Sequence, residues 1–574
     1  MKTEAQRGWW GGLALMVAVL AAYGPAWHAG YIWDDDVYVT TNRLLTMPDG
    51  LRRIWFSLQS PSQYFPLTYT TFYFERMLWG DNPAGYHIVN LLLHGANAVL
   101  LWRLLLRLQV PGAWLGAALL ALHPVQVESA AWITERKNVL MGLFFLLTLL
   151  AWVRFIDEKT KSPWRYYVLA LLCYLLSLSA KTTACTLPVA LVLILWLQKN
   201  PITVKRLGQA GAFLVLGIGM GLVTVWWERF HQGTEGKMFH LGLVERVLLA
   251  NRALWFYLGK LLWPVNLSFS YPHWKISAQD PLAYAWILLT LVAIVLVWRL
   301  RRWTGRSVEV ALLYFAATLS PLLGFIMLYT FAYSYVADHY QYMACLGPLA
   351  LIAAGLELAM RKWGNSIIRS IVYAALLITL GTLTWIQSAT YANAETLWDA
   401  TVRRNPDSWL AHNEMGILLR REGHVNEAIT QYQAAAALNP DNDSIHFNLA
   451  RAQLQVGHVG DAIIEYNQVL RIKPADAETE NNLAWLLATA SDASMRNGER
   501  AVRLAEEANR RTNGKNPVIL GTLAAAFAET GEFPDAIQTA RTAMEIAQAT
   551  GQTQLAAQLA AQLRRYEAGQ PMRQ

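Results

Sequence analysis

Apolar stretches close to membrane thickness recur through the first two thirds of the chain, and no other feature limits the fold as strongly. Crossing a bilayer takes roughly 20 mostly apolar residues as a helix, which satisfies its own backbone hydrogen bonds without water. Such stretches fall at 9–27, 88–108, 113–133, 139–155, 167–179, 183–197, 210–227, 282–297, 308–328, 342–359 and 371–387. They predict an all-α, polytopic membrane domain of about 11 transmembrane helices over residues 1–390. With 55% hydrophobic residues, only 15% charged and 25 Trp in 574, the chain is too apolar for an ordinary soluble enzyme. The first stretch follows Lys2 and Arg7 as a signal peptide would, but its aromatic end and missing small-residue cleavage site mark a retained anchor.

Lys and Arg in the short connections set the orientation. Arg103 and Arg107, Arg154 to Arg165, Lys199 to Arg206, Arg299 to Arg306, and Arg361 to Arg369 all fall on one side, the expected cytoplasmic face. The chain then reads as an integral inner (cytoplasmic) membrane protein with a cytoplasmic N-terminus. The Asp34 loop and everything after residue 390 lie on the opposite, periplasmic or extracytoplasmic face. The segment 244–265 is apolar enough to compete as a span, but counting it would move the Arg299 to Arg306 cluster outside, so it is read as interfacial or re-entrant. Topology therefore accounts for the net charge of +8, and no nucleic-acid partner is expected. The three cysteines form no Cys-x-x-Cys or metal-ligand spacing.

Residues 391–574 are different, rich in Ala, Glu, Arg, Asn and Gln and repeating with a period of 34. Gly416 maps to Ala450, Gly423 to Gly457, Ala428 to Ala462, Tyr432 to Tyr466 and Pro440 to Pro474. Period and residue types match the tetratricopeptide pattern, in which small residues let paired helices approach. About four repeats are expected, clearest at 409–442 and 443–476, with further copies near 482–517 and 520–547. Such an α-solenoid binds proteins in a concave groove.

Polar residues gather in the loops assigned to the outer face. Asp34 and Asp35 follow the first span; His123, Glu128, Glu135, Arg136 and Lys137 lie between the third and fourth. Lys181 sits in a short turn, and Asp338 and His339 precede the tenth span. The aromatic stretch between Leu51 and Tyr86 reads as an amphipathic segment on the membrane surface. A carboxylate can take a proton from an attacking hydroxyl, while Lys and Arg neutralise a departing phosphate. Singly, each residue also has a plain structural reading: a solvated loop start for the aspartates, an interface lysine for Lys181, a helix end for His123 with Pro124.

The "WDD" at 33–35, "HPVQVESAAWITERKNVL" at 123–140, "SAKTTACTLPV" at 179–189 and the trailing repeats together resemble bacterial relatives of the transmembrane and tetratricopeptide-repeat O-mannosyltransferases, of the GT-C glycosyltransferase superfamily. The resemblance implies a catalytic base at Asp34 or Asp35, with Asp36 leaving the register open. It implies a polyprenyl-phosphate sugar as donor and a Ser or Thr hydroxyl of a protein as acceptor, which attacks the sugar's anomeric carbon with inversion on the outer face. His123, Glu128 and Arg136 match the family's second outer loop. Charge and side add Arg136, Lys137 and Lys181 as donor-phosphate ligands, with Asp338 and His339 nearby. No cofactor is called for beyond the lipid-linked sugar; a divalent metal is possible but not indicated. The protein acceptor would bind through the repeat groove, and membrane lipids surround the rest. A non-catalytic membrane scaffold for envelope or secretion assembly, or the same chemistry on a glycan or lipid acceptor, are the alternatives.

Overall fold

The structure, a computed structural model, describes residues 2–58, 63–231, 241–363 and 365–574, with the backbone alone for 2–8 and 363. Residues 59–62 of the aromatic stretch, and the side chains of Lys2 and Arg7, thus lie outside the described residues. The described residues are all-α, without a strand. The chain divides into two compact units, Met1–Pro406 and Asp407–Gln574.

In the first unit, helix starts follow local chemistry. Asn82 and Asn365 accept hydrogen bonds from the first free backbone N–H groups of Pro83–Arg107 and Ser366–Ala389. Pro66, Pro83 and Pro163 open their helices, where a missing N–H costs nothing. Among the described residues, five helical segments are long and apolar enough to cross a membrane: Pro83–Arg107, Ile133–Ile156, Val204–His231, Pro281–Thr304 and Ser366–Ala389. Shorter apolar helices include Trp9–Ala22, Ala113–Leu122, Thr182–Leu197 and Ser307–Leu322. This is the make-up of a membrane protein, but two stretches expected to span are not one continuous helix. The stretch 113–133 is interrupted at His123 and Pro124, and 308–328 leaves its α-helix at Leu319, two residues before Pro321. Segment 244–265 forms the helix Leu243–Leu262, which carries four charged side chains, Glu245, Arg246, Arg252 and Lys260, more than a lipid-spanning helix of this length accommodates readily.

The boundary falls at Pro406, beyond the expected 390, because helix Ala394–Arg404 packs into the first unit. Its Trp398 is buried against Trp33 and Phe269. Arg404 donates to Leu267 O and Gln387 Oε1, and Asn405 Nδ2 to Ser270 O at 3.0 Å.

The second unit is a stack of paired helices: Trp409–Arg421 with Val425–Leu438, Asp443–Gln455 with Val459–Ile472, Ala477–Thr489 with Gly498–Arg511, and Pro517–Thr530 with Phe533–Ala549. A last helix, Thr553–Glu567, packs on the fourth pair. The period follows from the contacts. Tyr432 and Tyr466 are fully buried, and a Cβ on Gly416 would come within 2.7 Å of the Tyr432 ring. Gly423 and Gly457 turn between helices at φ +89° and +80°, a region costly for other residues. Gly416→Leu is therefore expected to destabilise the stack by about 1–3 kcal/mol through overpacking. Thermal unfolding of the purified protein checks this; an unchanged transition would refute the Tyr432 contact.

Candidate active site

Four segments distant in sequence come together in the first unit: residues 31–41, 123–138, 181–186 and 329–341. The three successive aspartates of the first do different things. Asp35 is fully buried; its Oδ2 accepts from Ile32 N at 2.9 Å, and its Oδ1 from Thr134 N at 2.9 Å and Thr134 Oγ1 at 2.6 Å. It ties the first loop to the second. Asp36 accepts from Thr40 Oγ1 at 2.9 Å and closes a local turn. Asp34 keeps a buried Oδ1 with no hydrogen-bond partner. Trp33, at φ +45°, holds this geometry by stacking on Trp132 and meeting Phe269, Tyr333 and Trp398 edge-on. A tryptophan in left-handed backbone is strained and needs such packing to persist.

Beside Asp34 lies a charged cluster centred on Glu135. Its Oε1 is 3.0 Å from Lys137 Nζ and its Oε2 3.1 Å from Lys181 Nζ, with His339 Nε2 at 3.8 Å. One carboxylate shared by two ammonium groups leaves a net positive charge, which suits an anion. Lys137 Nζ also lies over the rings of Tyr38, Phe65 and Trp132, between 5.2 and 5.8 Å from their centroids. Glu128 fixes His339 by accepting from its backbone N at 2.9 Å while lying 3.0 Å from its Nδ1. Asn138 Nδ2 holds the His339 carbonyl at 2.9 Å.

Burial pushes the Asp34 carboxyl up to about 6, chiefly opposed by the Lys137 charge. Asp35 rises to about 7 through burial and then the neighbouring Asp34 charge, against its hydrogen bonds. Burial lowers Lys181 to about 8 although Glu135 attracts its proton.

Glu135, Lys137, Lys181 and His339 line a cavity of about 870 Å³. Its remaining wall is apolar at Leu322, Phe325, Ile326 and Leu328 and carries Glu228, Arg229 and Arg246. Sequence reasoning missed these last three. Glu228 and Arg229 directly follow an apolar run, a position where charge is easily dismissed as the end of a span, and Arg246 sits in the segment assigned to the interface.

Other expected residues are placed elsewhere. Arg136 does not line the cavity: it is fully buried and paired with Glu75, and it donates to Asn90, Thr71 and the Tyr86 carbonyl. His123 is a helix cap, taking Val125 N on Nδ1 while its Nε2 meets Leu261 O at 3.0 Å. Asp338 accepts from Tyr271 at 2.9 Å, and burial, then the Glu128 charge, lifts it well above the usual carboxylate range. Asp35 accepts from protein donors and Glu135 lies between two ammonium groups, so neither is arranged as a ligand of a metal centre. Among the described residues no three His, Cys, Asp or Glu side chains group for one.

An all-α membrane unit with a carboxylate beside buried amines, followed by a helical-repeat unit, has named relatives. A TPR repeat family profile matches residues 416–457. The chain is 28% identical over 177 residues to protein O-mannosyl-transferase TMTC4 of Homo sapiens, covering 26% of this chain and 24% of that protein. It is 31% identical over 167 residues to protein O-mannosyl-transferase TMTC2 of Mus musculus, covering 27% and 20%. A longer match, to protein O-mannosyl-transferase F38B6.6 of Caenorhabditis elegans, is 23% identical over 437 residues and covers 70% and 59%. The chain is thus a relative of these proteins at low identity, and it spans about a quarter or less of the length of the first two.

Proposed function

We propose that the chain is a membrane glycosyltransferase that moves a sugar from a polyprenyl-phosphate donor to a Ser or Thr hydroxyl of a protein on the outer face. The observation that carries this reading is the unpartnered Asp34 carboxyl oxygen beside the Lys137, Glu135 and Lys181 cluster of the cavity. In this reading Asp34 takes the proton of the acceptor hydroxyl as its oxygen attacks the anomeric carbon from the face opposite the phosphate, inverting it. The bond from that carbon to the phosphate oxygen breaks, and its electron pair leaves with the polyprenyl phosphate. Lys137 and Lys181, held by Glu135, neutralise the leaving phosphate, so no separate acid is needed. His339, oriented by Glu128, adds a donor at the same end. The apolar wall at Leu322 to Leu328 suits the first isoprene units of the lipid. The names of the relatives support mannose as the first sugar to try, and the repeat unit would hold the acceptor protein, raising its effective concentration.

The test supplies membranes containing the protein with a panel of radiolabelled polyprenyl-phosphate sugars and an extract of exported proteins. Label in protein supports the reading; label only in a glycan or lipid fraction replaces the acceptor; no label from any donor overturns it. Lys181→Gln is expected to lower kcat/KM for the donor by about 10–100-fold, the loss of a charge-assisted phosphate contact. Wild-type transfer should also fall above pH 8, where Lys181 loses its proton. A Lys181→Gln enzyme with unchanged kcat/KM would remove Lys181 from the donor site.

A further inference from the structure

The groove of the second unit is already partly filled by the chain itself. Residues 571–574 run along it: Gln574 N donates to Thr489 O at 2.8 Å, and Arg573 Nη1 pairs with Glu529 Oε2 at 2.6 Å. Met572 packs on the apolar core of the third and fourth repeats. Glu529 is mostly buried and also holds Arg496 Nε at 2.9 Å, so a carboxylate fixed by one arginine presents its second oxygen to another. Beside this segment a cavity of about 1020 Å³ stays open, lined in part by Arg451, Tyr466, Asn482 and Trp485. Asn481, itself buried, brings to that wall an Oδ1 with no hydrogen-bond partner, and Gln562 an unpartnered Oε1. Buried amide oxygens left open in this way are acceptors for the N–H groups of an extended backbone.

We propose that this groove recognises an extended peptide carrying an apolar residue followed by an arginine or lysine, and that residues 571–574 occupy its specificity end in cis. Met572 and Arg573 show the pattern that fits: an apolar side chain on the repeat core and a cation on Glu529. A partner peptide of the same pattern displaces the segment, which is tethered and therefore competes at high effective concentration. The groove thus has a threshold, and only peptides that match both positions open it. The inference is independent of the chemistry of the first unit.

The experiment measures binding of the fluorescent peptide Glu-Ala-Gly-Gln-Pro-Met-Arg-Gln to the purified full chain by anisotropy. The double substitution Met572→Asp with Arg573→Glu removes the cis segment's grip, and the variant is expected to bind the peptide at least about tenfold more tightly than wild type. The same peptide with its Arg replaced by Glu is expected to bind that variant at least about tenfold more weakly, since it faces Glu529. Equal binding by wild type and variant overturns the cis occupation. Equal binding of the two peptides overturns the recognition of a cation by Glu529.

Discussion

Asp34→Asn is expected to lower sugar transfer by about 10²–10⁴-fold, the usual loss when a general base is removed, while the protein folds and inserts as before. The side chain is only partly covered, its Oδ1 has no hydrogen-bond partner to lose, and Asn keeps an oxygen for the Thr134 hydroxyl. Asn matches its shape but takes no proton. Asp35→Asn separates the two aspartates by a different route. The Asn carbonyl can still accept from Thr134, but its amide then faces the Ile32 N–H, donor against donor. That misfit is expected to cost about 1–3 kcal/mol of stability and loosen the loop that presents Asp34. Transfer should therefore vanish in a well-folded Asp34→Asn protein and fall together with thermal stability in Asp35→Asn. The pH profile adds a check of sign. Asp34 acts ionised and its carboxyl sits at about 6, so transfer should decline as pH drops through 6, about tenfold per unit below it. With the decline above pH 8 from Lys181, the profile is a bell between about 6 and 8. An Asp34→Asn enzyme that transfers sugar at the wild-type rate would sink the assignment of the base.

The helices and repeats were legible because their signals are local. Apolar composition marks a spanning segment within its own residues, and Gly416, Tyr432 and their counterparts 34 residues on repeat in plain view. What the sequence does not carry is partnership across loops. Asp34, Asp35 and Asp36 are adjacent and alike, and what distinguishes the structural carboxylate from its neighbours is the pair of backbone N–H groups that hold it, from Ile32 and from Thr134 a hundred residues away. Arg136 and Lys137 are likewise neighbours of one charge, but successive helical residues point about 100° apart, so one enters the protein and the other the cavity. That the first compact unit runs on to Pro406, past 390, has a related reason. Helix Ala394–Arg404 is amphipathic like the repeat helices, and its membership is decided by where Trp398 finds aromatic partners.

Arg136→Met is expected to destabilise the protein by about 3–5 kcal/mol, the effect of breaking a buried ion pair from one side. Glu75 is buried and meets both terminal nitrogens of the guanidinium, Oε2 at 3.1 Å from Nη2. The Nε donates to Asn90 Oδ1, whose own amide holds the Trp132 carbonyl at 2.9 Å, and Nη2 reaches Tyr86 O at 2.9 Å. Arg136 thereby joins the helix Pro66–Trp79, the helix Pro83–Arg107 and the loop that carries Thr134, the support on which Asp35 and then Asp34 rest. Methionine fills a similar volume but leaves the Glu75 charge and the Asn90 side-chain oxygen without their donor. Adding Glu75→Gln removes the uncompensated charge, so the double variant should regain part of the lost stability even though more native groups are gone. A phosphate ligand would behave in the opposite way. Arg136→Met would then melt as wild type does and raise KM for the donor, and Glu75→Gln would restore nothing. Thermal unfolding of the two variants, measured beside donor kinetics, separates a residue that builds the site from one that touches the substrate.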